Sequence, residues 1–159
     1  QHLEQAMTRL GISSVEALDH DLLESIPSAM TGVFDRVLLD APCSGLGVLR
    51  RNPDAKWKKN KASLPGLQAN QLGFLDCLAP AVKEGGLVVY AVCSSEPEEG
   101  EQVVKNFLER HAGFVVDQEP GPYWKDHEGL LDNRGFLRTF PHKHDMDGFF
   151  AVRFKRLVS

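Results

Sequence analysis

The chain lacks most of what would tie it to an oxidising compartment or a membrane. Its 159 residues hold 3 cysteines, Cys43, Cys77 and Cys93, an odd number with no Cys-x-x-Cys spacing. That excludes complete pairing within the chain and a cysteine-rich zinc cluster, and points to free thiols in a reducing cytoplasm. The longest apolar runs, such as residues 86–93, fall far short of the roughly 20 residues that a membrane-spanning helix needs. The first ten residues carry no secretory pattern, and a start at Gln1 reads as the start of a piece of a longer protein. There are no internal repeats and no low-complexity tracts. His142, His144, Asp145 and Asp147 show no fixed ligand spacing and no second cluster, so no metal site is expected.

What is present suits one soluble domain with its own core, since 42% of residues are hydrophobic and 25% charged. The net charge of -4 argues against a general nucleic-acid binder, but its distribution matters more. Between Arg50 and Lys61 lie six basic residues and one acidic residue, a basic segment on an otherwise acidic body. Such a chain meets phosphate on one face only.

Hydrophobic spacing predicts a helix over 1–10 from Leu3, Ala6, Met7 and Leu10, ended by Gly11. A short strand over 15–18 ends at Asp19. A stronger strand over 34–39, with Val37, Leu38 and Leu39 in one run, reads as buried on both faces and ends at a turn-rich loop. Leu67, Leu72, Phe74, Leu75, Leu78 and Val82 predict a helix over 64–82, and 87–92 predicts a second buried strand running into Cys93. Ser94 or Ser95, Pro97, and Glu96, Glu98, Glu99 and Glu101 mark a solvated helix start, with the helix reaching about residue 110. Strands over 114–117 and 148–156 enclose a loop-rich stretch. The alternation implies an α/β fold, a mostly parallel sheet with helices on both faces. Ligands in such sheets sit at the carboxyl ends of strands, where Asp19, Asp40 and Cys93 fall.

A lone cysteine is more often an inert buried residue than a reactive one. Two at neighbouring strand ends, one of them following Asp-x-Pro, point instead to chemistry. The helix dipole behind Cys93 favours a thiolate, and the four glutamates oppose it.

These segments resemble the Sun-type (RsmB-like) RNA cytosine-5 methyltransferases. Phe34-Asp35-Arg36-Val37-Leu38-Leu39-Asp40-Ala41-Pro42-Cys43-Ser44-Gly45 is similar to the family's fourth methyltransferase motif. Arg50-Arg51-Asn52-Pro53-Asp54-Ala55-Lys56-Trp57 is similar to the stretch that follows it. Val89-Tyr90-Ala91-Val92-Cys93-Ser94 is similar to the sixth motif, with Val92 where Thr is commoner, and Asp147-Gly148-Phe149-Phe150-Ala151 to the closing one. The resemblance implies a Rossmann-like class I methyltransferase sheet, mostly parallel with an antiparallel last strand. Residues 1–159 would form the C-terminal part of one S-adenosylmethionine-dependent domain.

It also implies roles. Cys93 would be the thiolate that adds to carbon 6 of cytosine, making carbon 5 nucleophilic. Cys43 would assist elimination of the methylated base. Asp40 would face both cofactor and base, Asp19 (or Asp21) would accept from the adenine amino group, and Pro42 would shape the cofactor loop. Arg50, Arg51, Lys56 and Lys58 become candidate RNA phosphate contacts and Trp57 a stacking platform. Ribosomal RNA is the expected substrate and transfer RNA the alternative. A non-catalytic RNA-binding or assembly fragment competes with this reading. A cysteine hydrolase built on Cys93 lacks an evident histidine partner.

No glycine-rich cofactor loop precedes Asp19. In the family it belongs to strands expected upstream of Gln1, so the chain alone is expected to bind S-adenosylmethionine very weakly. The 34–39 strand is expected to show an open edge. Either the 15–18 strand closes on it or two chains associate there.

Overall fold

The computed structural model describes residues 2–58, 60–119 and 129–158, with Lys58 described by its backbone alone. Part of the expected loop, 120–128, lies outside the described residues.

Alternating side chains orient the sheet. In β2 (Val82–Val92), Val88, Tyr90 and Val92 are buried while Leu87, Val89 and Ala91 between them are half-buried. In β1 (Phe34–Asp40), Leu39 is buried and its neighbour Leu38 is 70% exposed. The two strands expected to be buried on both faces are therefore buried on one. β1 and β2 pair in parallel. The last strand, β5 (Phe149–Arg156), runs antiparallel to β2. On its other side lie β3 (Phe114–Val116) and β4 (Phe136–Thr139), both antiparallel to it. Four strands thus share one direction and the last opposes them. Because β5 sits inside the sheet, β1–β2 is the one parallel pairing among the described residues.

Helices α2 (Leu64–Leu78) and α3 (Glu101–Arg110) cover the same face. Leu72 and Leu75 of α2 and Val103 and Phe107 of α3 join one core with Tyr90, Val92, Val152 and Phe154. This corrects the expectation of helices on both faces. From β1 to β2 to β3 the chain advances across the sheet in one sense, and right-handed crossovers then place successive helices on one side. Phe107 sits in the middle of this core, fully buried, 5.3 Å from the Phe114 ring and 4.7 Å from the Phe154 ring. Phe107→Ala is expected to lower unfolding free energy by about 3–5 kcal/mol, as measured by chemical denaturation.

Other boundaries move for local reasons. α2 stops at Leu78, and a short turn at Ala79–Ala81 leads into β2, because Pro80 has no N–H to continue the helix. α3 starts at Glu101 rather than at Ser94, with a turn over 97–100 before it. α1 (His2–Leu10) forms as expected but buries none of its residues. Residues 15–18 form no strand, and Val15 and Leu18 stay 46% and 58% exposed. They have no ladder partner to take their backbone groups. The expected closure of this segment onto β1 is therefore absent, and β1 pairs with β2 alone among the described residues. The loop-rich stretch contains β4 and a short helix, α4 (Pro141–His144). Asp132 sets up β4 by accepting the Arg134 and Phe136 amides at 2.9 and 3.0 Å.

Candidate active site

The parallel register brings the two cysteines together. Asp40 lies opposite Ala91, so β1 and β2 leave the sheet side by side at the same end. The Ala41 amide still donates to the Ala91 carbonyl at 3.0 Å. A few residues on, the Sγ atoms of Cys43 and Cys93 meet at 3.2 Å, both half-buried. Burial, and then the hydrogen bond with Cys93, push the Cys43 thiol up to about 12. Cys43 therefore stays a neutral thiol through the physiological range.

Beneath the sulfurs lies a polar cluster that composition and spacing did not reveal. Glu99, expected to be solvated, is fully buried. Its Oε1 accepts from the Ser44 amide at 2.7 Å and from Gln71 Nε2 at 3.0 Å. Its Oε2 accepts from the hydroxyls of Ser44 and Ser94 at 2.5 and 2.6 Å. The Tyr90 hydroxyl donates to the Glu99 carbonyl at 2.6 Å, and burial raises its pKa. Gln71 also donates to the Pro42 carbonyl at 3.1 Å, which fixes the Pro-Cys turn to α2. Ser94 Oγ accepts the Glu96 amide at 3.2 Å, so this serine holds a local turn instead of capping a helix. One signal was available. Gln71 is a polar side chain in the apolar stripe of α2, next to Leu72 and one turn before Leu75, and a buried amide requires partners.

Gly47 joins a third segment to the pair of loops. Its amide donates to the Cys93 carbonyl at 3.0 Å, and its own carbonyl accepts from Gly148 at 2.8 Å. A Cβ there would lie 1.9 Å from the Gly148 oxygen and 2.9 Å from the Cys93 oxygen. The start of the closing strand is thereby seated against both cysteine loops.

The other expected site residues separate into two groups. Asp40 is exposed at the carboxyl end of β1. Asp19 and Asp21 are exposed too, and Asp21 is occupied in a turn, accepting the Leu23 amide at 2.9 Å. In the basic segment, Arg50 and Arg51 both reach the largely buried Asp147, at 3.1 and 2.7 Å, and Arg50 also meets Asp145 at 2.9 Å. Their charges are partly spent within the protein. Trp57 is 79% exposed, with the Lys56 ammonium 4.6 Å from its ring. The side chain of Lys58 lies outside the described ones.

A family model described as 16S rRNA methyltransferase RsmB/F matches residues 1–155. The chain belongs to the RsmB/F family. A Synechocystis protein named "Probable ribosomal RNA small subunit methyltransferase B" is 36% identical over 159 residues, which cover 98% of this chain and 35% of that protein. Among solved structures, PH0851 is 30% identical with a TM-score of 0.86, over 97% of this chain and 34% of that one. NSun6 from Pyrococcus horikoshii, solved with SFG, is 26% identical with a TM-score of 0.75, over 99% of this chain and 38% of that one. The chain thus spans about a third of the length of the RsmB/F relatives it matches. The Rossmann-like α/β architecture is common to them.

Proposed function

We propose that the full-length protein is a cytoplasmic RNA cytosine-5 methyltransferase acting on ribosomal RNA, with Cys93 as the nucleophile. The observation that carries this is the pair of sulfurs 3.2 Å apart at the carboxyl ends of two parallel strands. The Cys93 thiolate adds to carbon 6 of the base, forming a carbon–sulfur bond and making carbon 5 electron-rich. After methylation, the carbon 5 proton passes to solvent, its electron pair restores the carbon 5–carbon 6 double bond, and the carbon–sulfur bond breaks to return Cys93 as thiolate. Cys43, 3.2 Å from Cys93, assists that elimination by donating its S–H to the departing Cys93 sulfur.

S-adenosylmethionine supplies the methyl group in this reading. The exposed carboxylates of Asp19 and Asp40 suit it, because its adenine and amino groups are hydrogen-bond donors. Asp40 would hold the cofactor and the base amino group, and Asp19 the adenine amino group. Asp21 is the weaker choice for that role because the Leu23 amide already uses its carboxylate. Pro42, fixed by Gln71, shapes the wall between them. The solved relative NSun6 with SFG gives the cofactor assignment independent support.

The direct test incubates the full-length protein with methyl-labelled S-adenosylmethionine and small-subunit ribosomal RNA, and maps 5-methylcytosine by bisulfite sequencing. Label in 5-methylcytosine of that RNA is the expected result. Label in transfer RNA instead would change the substrate, and no label in any RNA would leave only a binding role.

The exposed ring of Trp57 and the adjacent lysines are the RNA-facing part of the basic segment in this reading. Lys56→Ala with Lys58→Ala should flatten the slope of log affinity against log salt by roughly 0.7–1 for each phosphate the protein no longer neutralises. Arg51→Ala should flatten it less, since Asp147 already pairs with that guanidinium. An unchanged slope in the double variant would remove these lysines from the RNA interface.

A further inference from the structure

We infer that Glu99 is a positioning residue for the reaction, a buried carboxylate that holds the Cys43 and Cys93 loops in register so that the two sulfurs act on one base. The inference rests on the methyltransferase reading for its chemistry and on the geometry for its substance. Each cysteine is followed by a serine, and both serine hydroxyls donate to the same oxygen, Glu99 Oε2, at 2.5 and 2.6 Å. The hydroxyls lie 3.3 Å from one another, one residue beyond sulfurs that are 3.2 Å apart. The other oxygen, Oε1, takes the Ser44 amide and the Gln71 side chain. Every group that meets the carboxylate is a donor, so both oxygens are used as acceptors throughout. Glu99 itself is fully enclosed, as are Gln71 and, to 1% exposure, Ser94.

The β1–β2 ladder ends at Asp40 and Ala91. Beyond it, one backbone bond from the Ala41 amide and one from the Gly47 amide join the two loops directly. Apart from the direct Cys43–Cys93 and Ser44–Ser94 side-chain contacts, the bonds that tie the two loops together among the described residues run through Glu99. An amide at this position cannot replace the carboxylate. Turned with its NH2 toward the two hydroxyls, it makes them accept instead of donate and gives up both charge-assisted bonds to Oε2; turned the other way, its NH2 meets the Ser44 amide and the Gln71 NH2, donor against donor. The effect falls on the separation of the sulfurs, and misplacement of a reacting group by about 1 Å can cost on the order of a hundredfold in rate.

Phenylarsine oxide tests the sulfur geometry without any methyl transfer. It condenses with two close thiols: two arsenic–sulfur bonds form, the oxygen leaves as water with both thiol protons, and arsenic stays trivalent. In the full-length protein, capture by the Cys43–Cys93 pair is read as the difference from the Cys43→Ala protein, by mass spectrometry. Glu99→Gln is expected to weaken that capture about tenfold or more, as loss of a charged, buried hydrogen-bond acceptor implies. It should also lower kcat while leaving KM for RNA unchanged. Ser94→Ala, which removes one of the two hydroxyl bonds to Oε2 together with the contacts to Ser44 Oγ and the Glu96 amide but leaves the carboxylate in place, should shift both in the same direction and serves if Glu99→Gln does not fold. Unchanged capture and kcat in a folded variant, with only the melting temperature lowered, would overturn the inference and reduce Glu99 to a stabilising residue. Weakened capture in a protein that methylates no RNA would keep the positioning role and remove the methyltransferase reading instead.

Discussion

Cys93→Ala in the full-length protein is expected to abolish methyl transfer and to leave no covalent complex with RNA. Removal of a covalent nucleophile costs on the order of 10^4-fold or more in turnover. Cys43→Ala should behave in the opposite way at one step. The base is still attacked and methylated, but its release is slow, so a covalent protein–RNA complex accumulates and survives denaturing electrophoresis. The two sulfurs are only 3.2 Å apart, so position alone does not separate their roles. The assignment follows the family motif in which each cysteine stands, and the two variants test it. If Cys43→Ala prevented the complex while Cys93→Ala preserved it, the two roles would have to be exchanged.

Gly47→Ala is expected to be the most damaging single methyl group added near the site. Its Cβ would sit 1.9 Å from the Gly148 oxygen, a backbone atom immediately before β5. Relief requires the Pro-Cys loop, the Cys93 loop or the start of β5 to move. Each move breaks the Gly47–Cys93 or the Gly148–Gly47 hydrogen bond. Overpacking of this kind costs about 1–3 kcal/mol or more. The accompanying shift at Cys93 should lower turnover by about a hundredfold. Gly66→Ala, in the first turn of α2, provides the contrast. The added Cβ meets nothing within 4 Å, and the helix should gain about 0.5–1 kcal/mol. Urea denaturation and initial rates on both variants give the comparison. Native stability and full rate in Gly47→Ala would mean that the three segments do not need to touch.

The strand ends were legible from the chain because apolar runs with turn residues after them are local signals. Asp40 and Cys93 were expected at the carboxyl ends of strands, and β1 and β2 place them there. The same local reasoning failed for residues 15–18, whose apolar side chains suit a strand but find no neighbour to pair with. It failed again for Glu99. Four glutamates around Pro97 look like a solvated helix start, and only the loops arriving from elsewhere turn one of them into the centre of a buried cluster. The arginines of the basic segment were legible as charges, but their pairing with Asp147 depends on where β5 begins.

By itself the sequence determined the strand–helix alternation, the placement of one cysteine after each of two strands, and the motifs that mark the RsmB/F family. These depend on periodicity and turn chemistry, which act over a few neighbouring residues. Only the tertiary structure decided that the sulfurs meet, that α2 and α3 share one face, and that Glu99 points inward. Those outcomes depend on the parallel register of β1 with β2 and on right-handed crossovers. Register and handedness join residues some 50 positions apart, as Cys43 and Cys93 are, and no local pattern in the chain encodes that distance.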